Sequence, residues 1–231
     1  MQAGLAVLST LLLWPFFGLN AQGLLLSSLL TVVIVLHELG HMAAYRAFGH
    51  RRTRMIFVPL LGGIAIGGRP YNSCFEVAVC ALMGAGMSAF LVPPLIGLHD
   101  VFGQAASAVL LVFLLIVGAF NLLNLLPMRR FDGGQVLRQV FSTRRGLVVA
   151  SFLVTLTILW VGWRIGLPLM LLVAGLAVFT VLSLIGAGGV KPRRALDPMT
   201  APQRLLAGFG LYAAIVLHGS AIIYACDWLF G

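Results

Sequence analysis

Charge is scarce in this chain and acid scarcer still: 9% of its 231 residues are charged, and only six are Asp or Glu. With 61% hydrophobic residues and a mean hydropathy of +1.06, that scarcity excludes a water-soluble domain of this length. Cysteine is scarce too. Cys74, Cys80 and Cys226 form neither a metal-binding spacing nor an even disulfide framework, so they read as free thiols. No Lys or Arg precedes the first apolar run and no small-residue cleavage site is evident, which argues against a secretory signal peptide. No internal repeat or low-complexity tract is legible, nor a soluble domain appended at either end.

What the sequence has in place of charge is seven apolar stretches, each long enough or nearly so to cross a hydrocarbon core that takes roughly 20 helical residues. They run from Ala3 to Asn20, Gly23 to Phe48, Phe75 to Leu98, Ala105 to Leu126, Gly146 to Trp163, Leu167 to Ile185 and Leu205 to Leu229. The first is short and interrupted by Pro15, so it reads as a span or a half-span. The expected fold is an all-α polytopic membrane protein of about six to seven transmembrane helices, a single membrane domain over residues 1–231. Fourteen of the fifteen Lys and Arg residues then fall on one side, in Arg46 to Arg69, Arg129 to Arg145 and Lys191 to Arg204; Arg164 alone lies opposite. The positive-inside rule makes that side cytoplasmic, in a cell membrane. The formal charge of +9 therefore follows from topology and anionic lipid headgroups, and calls for no nucleic acid.

The second stretch ends in Val35-Leu36-His37-Glu38-Leu39-Gly40-His41. Four residues apart, the two imidazoles share one helical face and can bind one zinc, while Glu38 can hydrogen-bond a metal-bound water. With five His and two Glu in the chain, this pattern arises by chance about once in a thousand such sequences, and it is a known zinc signature. The competing account, polar groups satisfied by neighbouring helices, must carry three ionisable residues in one turn of a membrane helix, each disfavoured by roughly 2.5 kcal/mol or more if unpaired. From His41 to Arg46 is a helical rise of about 7 Å, which puts the motif below the cytoplasmic headgroups.

Two histidines leave a hydrolytic zinc short of a third protein ligand. Asp100 and Asp227 fall on the far side, Asp197 reads as solvated between two prolines, and Glu76 is an isolated carboxylate at the start of the third stretch. Asp132 stands out, just past the fourth stretch in Asn124-Leu125-Leu126-Pro127-Met128-Arg129-Arg130-Phe131-Asp132-Gly133-Gly134. Pro127 breaks the helix, and the paired glycines allow backbone shapes closed to other residues, so the carboxylate can turn back. Irregular backbone at this depth is tolerated where it lines a hydrated cavity.

At this point the sequence resembles the site-2 protease family of intramembrane metalloproteases, which pairs H-E-x-x-H on one helix with N-x-x-P-x-x-x-x-D-G on a later one. Asn124, Pro127, Asp132 and Gly133 match the second motif. The resemblance implies one zinc per chain held by His37, His41 and Asp132, with Glu38 as catalytic base. It covers residues 23–135 as a catalytic core and leaves 146–231 as additional C-terminal spans. Gly84-Ala85-Gly86-Met87-Ser88 looks like the family's G-x-x-x-N element with Ser in the Asn position, although helix packing explains small residues at that spacing equally well. Arg129 and Arg130 replace the apolar bridge common in relatives, and read as snorkelling to headgroups or contacting an acidic substrate flank.

Met55 to Gly68 is apolar, rich in β-branched residues and too broken by Pro and Gly to span. Its Gly-Gly pair suits a hairpin turn and Pro59 an edge strand, so a short membrane-dipping β-hairpin or loop is expected between the second and third spans. Its edge, at Ile64, Ala65 and Ile66, would pair with an unwound substrate strand. Asn124 is a candidate donor to a developing oxyanion, or a helix-packing contact. His218 lies mid-span and reads first as a structural hydrogen bond, with a ligand or gate as the alternative. His50 and His99 read as interfacial loop residues.

The activity so implied is zinc-dependent endoproteolysis of membrane-spanning protein substrates, in regulated intramembrane proteolysis of membrane-anchored regulators. The alternatives are an inactive membrane scaffold or a metal transporter, and a prenyl-protein endopeptidase with Glu76 as the third ligand. Partners beyond a transmembrane substrate and lipid, and the oligomeric state, are not legible.

Overall fold

A computed structural model describes residues 2–58, 62–99, 101–168 and 196–231, together with 170, 171, 173–175, 177, 178 and 181. Eight helices and one two-stranded sheet are described: α1 (Gln2–Phe17), α2 (Ala21–Ala47), β1 (Arg54–Val58), β2 (Gly62–Ile66), α3 (Cys74–Ala89), α4 (Val92–His99), α5 (Gln104–Asn124), α6 (Asp132–Val140), α7 (Arg144–Arg164) and α8 (Ala201–Phe230). Five helical stretches among them, α2, α3 with α4, α5, α7 and α8, are long and apolar enough to cross a membrane, and α1 is a shorter apolar helix. Nine of the nineteen residues of the expected span from Leu167 to Ile185 lie outside the described residues.

Local chemistry sets the ends of these helices. The Asn20 side chain accepts from the Gly23 amide to start α2, and Ser73 does the same for Glu76 at the head of α3. Thr200 and Gln203 form a reciprocal capping box on α8. After α2 the chain turns through Gly49, whose φ of +83° lies in the left-handed region that favours glycine.

The third expected span is two helices. Pro93 and Pro94 lack amide hydrogens and would clash with the carbonyls of Ala89 and Phe90, so α3 stops and α4 starts afresh at Val92. Phe90 is left largely exposed at the break.

Behind the site α3, α6 and α8 share one core, built from Ala78, Ala81 and Ala85, then Val136 and Leu137, then Leu211, Ala214 and Ile215. Small residues let the backbones approach. A Cβ on Gly40 of α2 would lie 2.0 Å from the Met83 carbonyl oxygen of α3, and one on Gly118 of α5 would meet His218 and Ile222 of α8 at 2.7–2.8 Å. The segment before α8 is bonded to the head of α3: the Cys74 amide donates to the Asp197 carbonyl at 2.9 Å and the Asp197 amide to that of Asn72 at 3.1 Å. The Asp197 side chain is exposed, as a solvated acid should be. α7 keeps Val149, Phe152, Leu153, Trp160 and Trp163 on its outer face, apolar surface suited to lipid.

β1 and β2 pair antiparallel, with Arg54 opposite Ile66, Ile56 opposite Ile64 and Val58 opposite Gly62. The hairpin is therefore where the sequence puts it, but Gly62 and Gly63 lie inside β2 and do not form its turn. The connection, residues 59–61 including Pro59, lies outside the described residues. Ile56, Ile64 and Ile66 are exposed on one face of the ribbon.

Candidate metal centre

His37 and His41 point from one face of α2 towards the first residue of α6. The Nε2 atoms of the two histidines are 3.1 Å apart, and Asp132 Oδ2 lies 3.1 Å from that of His37 and 3.3 Å from that of His41. His37, Glu38 and Asp132 are buried. The three residues singled out as ligands in the sequence thus converge, although 91 positions separate His41 from Asp132 in the sequence.

Asp132 reaches this place because the chain breaks after α5 and restarts as α6. Gly133 and Gly134 serve that turn differently from the expectation. Neither has positive φ among the described residues; each sits in α6 pressed against a carbonyl, where a Cβ would come within 1.9 Å of the Leu125 oxygen or of the Met128 oxygen. Close approach, rather than an unusual backbone shape, is what requires glycine there. Arg129 and Arg130 are exposed on the loop, as snorkelling side chains would be.

The second nitrogens of the imidazoles settle the protonation pattern. His41 Nδ1 lies 2.6 Å from the Cys80 carbonyl oxygen, which can only accept, so that nitrogen donates. His37 Nδ1 lies 2.8 Å from Asn121 Oδ1, and the Asn121 amide nitrogen is committed to the Val117 carbonyl at 2.8 Å. Both histidines therefore donate from Nδ1, and in their neutral form turn a bare Nε2 lone pair inward. With both imidazoles neutral, two lone pairs and a carboxylate oxygen face one another at 3.1–3.3 Å, an arrangement complementary to a cation. Ligands bound at about 2.0–2.1 Å around a tetrahedral zinc stand roughly 3.3 Å apart, which matches these separations. The donor set fits zinc.

Glu38 stands beside this group: one ligand atom from its carboxylate and one from each imidazole all lie within 4.8 Å of one another. The Ala65 amide of β2 donates to it, while Oε2 is buried without a protein partner. A Cβ on Gly63 would lie 2.3 Å from Glu38 Cγ, so the strand can run against the glutamate only because it is bare at that position. On the opposite side a Cβ on Gly84 would meet His41 Nε2 at 2.5 Å and His37 Cε1 at 2.7 Å. Gly84 of the G-x-x-x-S element is thus more than a packing residue; it clears the space in which the imidazoles meet.

Other expectations need correction. The Asn124 side chain donates to the Phe120 carbonyl of its own helix at 3.0 Å, and the asparagine that reaches the site is Asn121, one turn earlier. Sequence reasoning missed Asn121, although a polar residue inside the apolar run of α5 was signal enough to ask for its partner. His50 does lie in the loop between α2 and β1, but it is buried rather than interfacial, 2.6 Å from Glu76 Oε1. Glu76 is likewise not isolated, because Arg69 pairs with it at 2.9 Å and the Asn72 amide donates to it at 2.8 Å. His99 ends α4 and is buried against Tyr224 and Trp228 of α8. His218 makes the expected structural bond, to the Ala85 carbonyl at 3.0 Å. Cys74, Cys80 and Cys226 are free.

Two buried zinc-type ligands, a half-buried third and a carboxylate alongside make the kind of donor set that metal-dependent hydrolases use. Among known proteins the chain is similar to a zinc metalloprotease of Methanocaldococcus jannaschii, 25% identical over 64% of this chain and 41% of that one. It is also similar to a Synechocystis sp. protein named as a candidate zinc metalloprotease, 31% identical over 56% of this chain and 36% of that one. The chain thus spans about two fifths of the length of these relatives. A solved site-2 protease from Methanocaldococcus jannaschii is 20% identical, with a TM-score of 0.45 over 84% of this chain and 92% of that one. No family model matches. Both sequence relatives carry zinc metalloprotease names.

Proposed function

We propose that the protein is an intramembrane zinc endopeptidase that cuts membrane-spanning protein substrates from a site opening towards the cytoplasm, one zinc per chain. The observation that carries this reading is the convergence of two bare imidazole nitrogens and the Asp132 carboxylate at 3.1–3.3 Å, with Glu38 beside them. His37, His41 and Asp132 are the metal ligands in this reading. The metal would supply a Lewis acid and a water acidified to near neutral pKa. Glu38, with a free carboxylate oxygen in a buried place, accepts the proton of the attacking water and returns it to the leaving amine.

The hairpin supports a way of presenting substrate. Both main-chain groups of a residue in an antiparallel strand point to the same side. Since the Ala65 amide faces Glu38, Gly63 and Ala65 show their free edge to the site, while Ile64 and Ile66 bond to β1. A substrate segment, unwound because a helix hides its own peptide bonds, adds to that edge through main-chain hydrogen bonds that need little side-chain specificity. Asn124, turned into its own helix, is the weakest member of the sequence-derived set and is proposed only as a packing contact. Regulated proteolysis of membrane-anchored regulators is the physiological setting this reading implies, with the exposed arginines at 46, 51, 52, 54, 129 and 130 held at an anionic cytoplasmic leaflet.

Metal analysis of detergent-purified protein, with cleavage of a panel of single-span substrates, tests the proposal. One zinc per chain is expected in the wild type and in Glu38→Gln, with cleavage lowered at least a hundredfold in the latter. Asp132→Ala should lose both zinc and cleavage. A metal-free wild type, or a Glu38→Gln protein that cuts normally, would overturn the enzyme reading in favour of a scaffold or transporter.

A further inference from the structure

We infer that Asn121 is a positioning residue for the metal centre: its side-chain oxygen locks His37 in the one tautomer and ring orientation that can bind metal. The inference rests on the zinc reading above. Asn121 is fully buried in α5 and its amide has two fixed partners, the His37 Nδ1 proton on the oxygen at 2.8 Å and the Val117 carbonyl on the nitrogen at 2.8 Å. Flipping the amide would set two donors against each other at His37 and two oxygens against each other at Val117, so the orientation is determined by the network. Phe120, the preceding residue, packs its ring edge-on against the His37 imidazole with centroids 5.3 Å apart, closing off rotation on the other side.

The two histidines are therefore held by different means. His41 is held by the Cys80 main-chain oxygen, which no side-chain substitution removes, whereas His37 depends on a single side chain. The choice of an amide also fits the charge balance. A divalent cation with Asp132 and Glu38 ionised is neutral, and a neutral acceptor behind His37 keeps it so inside an apolar bundle. A carboxylate at position 121 would serve as acceptor equally well but would leave the filled site with a net negative charge.

The test uses the whole protein in detergent, titrated with zinc against a chelator, and with cobalt(II) as a spectroscopic probe whose visible bands report ligand number and kind. Asn121→Leu keeps the volume and removes the acceptor; its zinc affinity should fall about 10–100-fold, with cobalt bands altered by the loosened His37. Asn121→Asp keeps the acceptor; its zinc affinity should stay within a few-fold of wild type or exceed it, with bands shifted by the more basic imidazole. Zinc affinity in Asn121→Leu equal to wild type, with unchanged cobalt bands, would overturn the inference. Should Asn121→Leu fail to fold, the Asp variant decides: cobalt bands identical to wild type would mean that residue 121 does not act on the metal. A wild type that binds neither metal would overturn the zinc reading itself, a result separable from either of these.

Discussion

Two buried histidine and carboxylate clusters lie along the same pair of helices, α2 and α3, and they differ in what completes them. Around Glu76 the protein supplies everything: His50 at 2.6 Å, Arg69 at 2.9 Å and the Asn72 amide at 2.8 Å all give hydrogen or positive charge to one carboxylate. Arg69 also donates to the Phe48 carbonyl at 2.7 Å, so the cluster ties the end of α2 to the strand exit and to the head of α3. Around Asp132 the partners are the Nε2 atoms of two imidazoles that already donate from Nδ1 to other groups. The same residue types therefore make a carboxylate fully supplied with donors in one place and, with both imidazoles neutral, an electron-rich cluster in the other. What separates a metal site from a buried ion pair here is whether donors outnumber acceptors, and only the hydrogen-bond geometry shows it.

The comparison can be broken from either end. The largest effect is expected for Gly84→Val, whose side chain would enter the space where the two imidazoles meet. Zinc per folded molecule should fall below a tenth of wild-type content, while the overpacking costs the metal-free protein about 1–3 kcal/mol of stability. A Gly84→Val protein with full zinc content would show that the imidazoles have room to spare. A smaller change is expected from Ala65→Pro, which removes the amide facing Glu38 and from the proposed substrate edge. Cleavage should drop at least tenfold with zinc content unchanged, and unaltered cleavage would remove the edge-pairing idea. Glu76→Ala acts on the other cluster, taking from His50 its carboxylate partner and from Arg69 its counter-ion. It should cost about 3 kcal/mol of stability, the low end for a broken buried pair because Arg69 keeps some access to solvent. Zinc bound per folded molecule should not change; loss of zinc in parallel with stability would mean the two clusters are one unit.

The sequence was legible where chemistry is written in spacing. His37 and His41 share a face by helical periodicity alone, and a proline followed by Asp-Gly-Gly marks a chain that must turn. The hairpin was legible from its β-branched residues and glycines. Illegible were the matters that depend on how helices rotate against one another. Asn121 and Asn124 sit three positions apart on α5, and which of them meets His37 depends on the packing of α5 against α2, not on either helix alone. The glycines show the same limit. Gly63, Gly84, Gly133 and Gly134 each read as a flexible or packing residue, and each is bare because a particular atom of another segment occupies the space where its side chain would be. His50 looked solvent-facing because its partner Glu76 lies 26 residues away, across the whole hairpin.

The bond from His218 to the Ala85 carbonyl joins positions 133 apart, and α8 is also bonded at its head to the start of α3. α3 carries Gly84 at the metal centre, yet its back wall belongs to the helix synthesised after all the others described. A nascent chain in the membrane can thus hold every proposed ligand while lacking the support that sets their spacing. The spacing of the centre therefore depends on α8 as well as on the helices that carry the proposed ligands.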